Sequence, residues 1–378
     1  MECSSCGKGK MMIKSILPDY KNCIANLPNS ILKKFGAEPV GDTLPLLDPY
    51  LEKEYENIVV ILLDGMGKAI VERHLAEDGA FRTHLAGIYK STFLSTTVAA
   101  TTSMMSGLQP CEHSWLGWDC YYPQVDKNVT VFLNVEQGTK TPAADYNLAW
   151  TLTPYENVID RIKRYGGQAY LTAPFLDSSI DTFGRLCDNV RGYCRLPGKK
   201  YVYAYWNQPD GLLHRCGCGS AEVHENILEL EAEVSKLAEA IPNSLIVVTA
   251  DHGHIDNEQV MIRDYPQLTE CLEHLPSLEP RVLNLFVKPE KEEFFIAEFN
   301  RLFGDRFDLL STDEAIERDL FGTGTHHPMF RPMLGNYIAI ATGDLSIMTV
   351  EEAFVSMHGS LTEDEMLIPL IVFETDRG

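Results

Sequence analysis

Three apolar runs of strand length each end in a carboxylate, and two of them add histidine. Ile58–Leu63 runs into Asp64-Gly65-Met66-Gly67. Tyr201–Trp206 runs into Asn207-Gln208-Pro209-Asp210, with His214 four residues further on. Ser244–Thr249 runs into Ala250-Asp251-His252-Gly253-His254. In open parallel sheets ligands bind outside the carboxyl ends of strands, so these acids are expected to converge on one edge. Carboxylates gathered there repel one another, and bound cations relieve the repulsion. The interleaved histidines make divalent transition metals the natural cations, zinc above all, with manganese or magnesium as alternatives. Asp210 and His214 need one helical turn to share a face, and Asp251 and His252 sit together at a strand end.

Two further elements belong with these. The Ser/Thr-rich stretch Ser91–Gly107 carries Ser95, Thr96 and Thr97 ahead of an expected helix, Ala99–Ser106, that ends at Gly107. A hydroxyl at a helix N-terminus sits where an anion is welcome, because unpaired N–H groups point there. His358-Gly359-Ser360 precedes another apolar run, Leu367–Phe373. Taken singly, each residue has a plainer role. Asp64 alone reads as a helix N-cap, His252 or His254 as a hydrogen-bonded core histidine, and His113 in CEHSWLGW as a residue that fixes a loop. The chemistry rests on their conjunction.

The elements that must hold these residues alternate. Further strands are expected at Gln168–Thr172, Arg281–Val287 and Tyr337–Ala341, and helices at Lys68–Leu85, Tyr155–Tyr165, Ala221–Ile241 and Lys291–Phe303. The third helix places Val223, Ile227, Leu230, Val234, Leu237 and Ile241 on one stripe. Apolar strands between such helices imply a mostly parallel sheet covered on both faces, an α/β sandwich. Residues 259–341 carry their own strand–helix pattern and read as an inserted lid-like subdomain. Residues 1–258 and 342–378 then form the metal-binding core. The polar region Trp115–Ala144 reads as an irregular surface excursion.

Composition bounds the partners. Over 378 residues, 54 acidic against 32 basic side chains give a net charge of −22. That balance argues against binding a nucleic-acid polymer or a membrane surface, both of which need clustered Lys/Arg. A small phosphorylated substrate held through bound cations is still compatible with it. No run approaches the ~20 apolar residues of a spanning helix, and the N-terminus lacks a signal-peptide core, so a cytoplasmic protein is expected. The ten cysteines then read as mostly free thiols, Cys3-x-x-Cys6 included.

In order along the chain, LLDGMG, STTVAATTSMMSGLQPCEHSWLGW, QPDGLLH, VVTADHGH and HGSLTEDEMLIPLIVF resemble the alkaline phosphatase superfamily. The resemblance is closest to its nucleotide pyrophosphatase/type I phosphodiesterase branch and runs from Ile58 to Phe373. It implies an alkaline-phosphatase-like three-layer sandwich and a two-metal hydrolase of phosphate esters. One metal would be held by Asp64, Asp251, His252 and the nucleophile's oxygen, the other by Asp210, His214 and His358. The nucleophile falls on Thr97, ten positions before Gly107, with Ser95 and Thr96 as rivals. A phospho-threonine would form and then be hydrolysed. His326 and His327 in GTGTHHP compete for the place of last ligand. His358 is preferred, because His-Gly-Ser leading into Pro369-Leu370-Ile371 matches the superfamily's last ligand.

Two departures narrow the resemblance. Val98-Ala99-Ala100 stands where the phosphodiesterase branch has Phe-Pro-Asn, so the asparagine's oxyanion contact must come from elsewhere. The sulfatase Cys-x-Pro-x-Arg signature is missing. Alternative readings are a phosphomonoesterase, phosphonate hydrolase or phosphomutase on the same core. A metal- or partner-binding protein with little catalysis is a further one, which the complete ligand set opposes.

Overall fold

The computed structural model describes residues 15–376, so Cys3 and Cys6 lie outside the described residues. The central sheet has six strands: β1 (Asn57–Leu63), β2 (Leu85–Lys90), β3 (Gln168–Thr172), β4 (Lys200–Trp206), β5 (Ser244–Thr249) and β6 (Leu367–Thr375). Their spatial order is β2-β6-β5-β1-β4-β3. β1 pairs in parallel with both β4 and β5, and β3 pairs in parallel with β4. β6 runs antiparallel to β5, and β2 antiparallel to β6.

The residues explain the layers. β1 (NIVVILL) and β5 (SLIVVT) are buried at every position, so apolar side chains leave both faces. Each buried Val, Ile or Leu contributes roughly 1.5–3 kcal/mol. The helix Ala221–Ala240 supplies part of the cover, burying Val223, Ile227, Leu230, Val234 and Leu237. The Ser220 hydroxyl caps it by accepting from the Val223 amide at 3.2 Å. The expected helix Lys68–Leu85 is instead two short helices, Lys68–His74 and Ala80–Thr83, followed by β2. Asp78-Gly79 turns the chain there, and Gly79 becomes the N-cap of the second helix.

A second sheet is antiparallel and has seven strands. Its order is Phe307–Ser311, Tyr337–Ala341, Val282–Leu285, Ser277–Glu279, Asp119–Tyr122, Lys127–Thr130 and Val135–Glu136. Three of these strands come from the region expected to be irregular, and they join the sheet where Leu278 pairs with Asp119. The helix Glu292–Phe303 buries Phe295, Phe299 and Phe303 in the cluster that includes Leu283, Leu285, Phe307 and Ala339.

Residues after Ala341 return to the central sheet and carry His358 on the way. Their anchor is a fully buried ion pair in which Arg281 grips Glu365 through Nε–Oε1 (2.7 Å) and Nη2–Oε2 (2.8 Å). Glu365 also accepts from the Ser360 amide at 3.0 Å, two residues from His358. No helix among the described residues is long and apolar enough to cross a membrane.

Candidate active site

β1, β4 and β5 lie side by side, so the residues that follow them meet at one edge. The Asp210 amide donates to the Asp64 carbonyl at 3.0 Å, tying two of the strand ends together. Glycine permits the close approach. Gly65 has φ +75°, and a Cβ on Gly67 would stand 2.4 Å from Gly253 Cα. Thr97 is the first residue of the helix Thr97–Ser106, which begins two residues earlier than expected.

A first group of donors surrounds Thr97. Its Oγ1 lies 3.2 Å from His252 Nε2 and 3.4 Å from Asp64 Oδ1. His252 Nε2 lies 3.4 Å from Asp64 Oδ1 and 3.5 Å from Asp251 Oδ2. Four donors held ~2.0–2.1 Å from one tetrahedral ion stand ~3.3–3.4 Å apart, which is the spacing seen here. Asp251 Oδ1 accepts from the Gly65 and His252 amides, both at 3.0 Å. Asp251 Oδ2 is buried and has no hydrogen-bond partner among the described residues. A buried carboxylate oxygen without a donor is costly, and a cation would satisfy it. The donors present fit a metal.

A second group surrounds Asp210. Its Oδ1 lies 2.7 Å from His254 Nε2, 3.3 Å from His214 Nε2 and 3.7 Å from His358 Nε2. His214, His252 and His358 share one feature. Each turns Nδ1 to a backbone carbonyl: Ser356 O at 2.8 Å, Gly253 O at 3.1 Å and Ser95 O at 3.1 Å. A carbonyl only accepts, so Nδ1 carries the proton and Nε2 presents a lone pair to the centre, as metal-ligating imidazoles do.

Charge in the site is uneven. Burial, then Asp251 and Asp210, push the Asp64 carboxyl well above the usual range. Burial also raises Asp251, although His252 opposes it. Burial would raise Asp210 too, but His214 and His254 outweigh it and hold that carboxyl well below the usual range. Tyr205 donates its hydroxyl to Asp64 Oδ2.

The remaining candidates lie elsewhere. Ser95 Oγ donates to Ser360 O at 2.6 Å and Thr96 Oγ1 to Glu279 Oε1 at 2.5 Å, so both hydroxyls turn away from the cluster. His326 packs on Phe330, and His327 Nδ1 accepts from the Met329 amide. His113 accepts from the Trp115 amide and pairs with Ser103 Oγ, and burial pushes it down to about 3. His254, whose plainer role from sequence is that of a hydrogen-bonded core histidine, is buried and bonds Asp210 and Ser356. Glu279 carries no signal in the sequence. Glu279 is buried, and its Oε1 accepts from Thr96 and from the Trp118 amide at 2.8 Å. A cavity of about 800 Å³ opens over Thr97, Asp210, His214 and His358, with Trp118, Leu133, Glu279 and Phe354 in its walls. That volume admits an organic substrate and not merely a phosphate group.

The sequence profile of the type I phosphodiesterase/nucleotide pyrophosphatase family matches residues 58–360. No curated protein sequence matches the chain significantly. Among solved structures, an inactive threonine-to-alanine variant of murine ectonucleotide pyrophosphatase/phosphodiesterase 5, in complex with AMP, is similar with TM-score 0.64. The identity is 14%, over 86% of this chain and 91% of that chain. The human ectonucleotide pyrophosphatase/phosphodiesterase 5 is similar with TM-score 0.62 at 11% identity, over 85% of this chain and 88% of that chain. The shared architecture is the alkaline-phosphatase-like α/β sandwich.

Proposed function

We propose that this chain, which belongs to the type I phosphodiesterase/nucleotide pyrophosphatase family, uses Thr97 as the nucleophile of a two-cation phosphodiester hydrolysis. Family membership makes it a phosphodiesterase/nucleotide pyrophosphatase-type hydrolase with a metal-binding His/Asp cluster. The observation that carries the finer reading is the cage of Asp64 Oδ1, Thr97 Oγ1, Asp251 Oδ2 and His252 Nε2, spaced for one tetrahedral ion around an unsatisfied carboxylate oxygen. The mixed nitrogen and oxygen donors suit zinc. Asp210, His214 and His358 would hold a second ion.

Bound divalent cations supply acidity to the Thr97 hydroxyl and offset charge on the phosphoryl oxygens. The chain's own residues do the rest. Asp64 and His252 orient Thr97 Oγ1 toward the cavity. That oxygen bonds to phosphorus as the bond to the leaving alcoholate breaks, and the proton lost from the Thr97 hydroxyl passes to that alcoholate through solvent. Thr97 is left esterified to a phosphoryl group that still carries the second alcohol. Water then attacks phosphorus and the bond to Thr97 Oγ1 breaks, that oxygen taking up a proton, which releases a phosphate monoester and restores the Thr97 hydroxyl. The helix Thr97–Ser106 has no side-chain cap, because Thr96 bonds Glu279 instead. Its first N–H groups are therefore free to meet phosphoryl oxygens, where an asparagine is missing. The murine relative's AMP complex and its inactive threonine variant support a nucleotide-like substrate and a threonine nucleophile here.

The test is turnover of a chromogenic diester and the matching monoester by zinc-loaded variants. Thr97→Ala should keep its zinc and lose activity on the order of 10³-fold or more, while Thr97→Ser keeps part of it. Ser95→Ala and Thr96→Ala should be mild. Near-normal diester turnover by Thr97→Ala would overturn the assignment, and a strong monoester preference in the wild type would make the chain a monoesterase.

A further inference from the structure

We propose that His254 is a positioning residue for Asp210 and not a metal ligand, with Ser356 fixing its tautomer; the inference rests on the two-cation reading above. Distance separates His254 from the other imidazoles first. The candidate ligand pairs stand 3.2 to 3.7 Å apart. His254 Nε2 and Asp210 Oδ1 are 2.7 Å apart. That is well inside the ~3.3 Å edge of a tetrahedron at zinc–ligand lengths. It is the length of a charge-assisted N–H···O bond. A proton lies between these atoms, and Asp210 has no other reason to approach a nitrogen so closely.

The opposite edge of the ring agrees. His214, His252 and His358 direct Nδ1 at carbonyl oxygens, which can only accept. His254 Nδ1 alone faces a hydroxyl, Ser356 Oγ, at 3.1 Å. A serine hydroxyl can donate, leaving Nδ1 unprotonated and Nε2 as the N–H. The reverse tautomer would set two acceptors 2.7 Å apart in a buried site.

Ser356 thus sets two rings in opposite senses. Its carbonyl takes the Nδ1 proton of His214, and its hydroxyl gives a proton to Nδ1 of His254. Ser356 is fully buried and is fixed by pairing with Asp256, two residues beyond His254. The outcome is a Ser356–His254–Asp210 relay. It steers Asp210 so that His214 and His358 can share an ion with it. Partners of this kind are worth about 10–100-fold in metal affinity.

Two measurements test this on the full chain. In ¹⁵N-histidine spectra of the zinc-loaded wild type, the ring whose signals vanish in His254→Gln should show the Nε2–H tautomer, with Nδ1–H in the metal-binding rings. In zinc titrations, His254→Leu should still bind two ions at saturation, with affinity at the Asp210 site reduced about 10–100-fold. His254→Gln, which keeps an N–H donor, should recover much of the loss. A metal-bound Nε2 on His254, a lost ion in His254→Leu, or unchanged affinity in that variant would overturn the proposal while leaving the two-cation reading intact. A wild type that binds no zinc would overturn the two-cation reading itself.

Discussion

Asp64 and Asp210 follow adjacent strands of one sheet, yet their surroundings push the two carboxyl groups in opposite directions. Asp64 shares its space with Asp251 and Thr97, three oxygen donors to one imidazole, and burial and repulsion raise it. Asp210 faces three imidazoles, and two of them, His214 and His254, outweigh its burial. The first half of the site comes from the ends of β1 and β5 and one helix N-terminus. The second half depends on longer ties: Ser356 orients His214 and His254, and Arg281 holds Glu365, which holds the loop carrying His358. A cation entering the first cage relieves strain already present. A cation at Asp210 joins a carboxylate that already accepts a hydrogen bond from His254. The first ion should therefore be the tighter one.

The sharpest way to break this comparison is to damage each half once. Asp251→Asn neutralises the unsatisfied carboxylate, and should empty the first cage and cut diester turnover on the order of 10³-fold or more. His358→Ala should weaken only the second ion, with excess zinc restoring part of the activity. Zinc analysis after dialysis together with turnover decides it, and equal responses would remove the distinction.

A smaller effect is expected from Arg281→Leu, which leaves Glu365 buried and unpaired. Stability should fall by about 3–5 kcal/mol in denaturant unfolding. Zinc affinity should drop at the Asp210 site and hold at the Asp64 site. Loss at both sites would mean that the two halves are not built independently.

Smallest is Glu279→Gln in zinc-free protein. Burial pushes the Glu279 carboxyl up to about 7, from an ordinary value of 4.5. Because the folded chain binds this proton more tightly than the unfolded one, the side chain's contribution is fullest below 4.5. It is lost as pH rises through about 7. Between those limits the wild type should lose Tm relative to Glu279→Gln, and parallel Tm curves would contradict the buried, cation-free setting of this carboxyl.

Strands of both sheets are legible in the sequence because their signal is local. Gln168–Thr172, Ser244–Thr249 and Tyr337–Ala341 match the expected bounds, since continuous Val, Ile, Leu and Tyr end abruptly at Gly, Asp or Thr. The acids at strand ends followed from the same punctuation. β2 carries no strand signal, and the expected helix reaches only its first residue, Leu85, because it is a partly exposed edge strand without a continuous apolar run. The hairpin strands at 119–130 are four residues each and rich in polar side chains, and their place in the sheet depends on pairing across about 159 residues. Thr97 and Val98 are β-branched and discourage a helix start, so its first turn was placed too late. The contacts of Asp210 with His254 and of Thr96 with Glu279 span 44 and 183 residues, distances at which sequence spacing carries no geometric information.

The most direct test is an anomalous difference map at the zinc edge from crystals of the zinc-loaded wild type. Two peaks are expected, one among Asp64, Thr97, Asp251 and His252 and the other beside Asp210, His214 and His358, with His254 bonded to Asp210 and not to the ion. A single peak, or a peak on His326 or His327, would contradict the two-cation site.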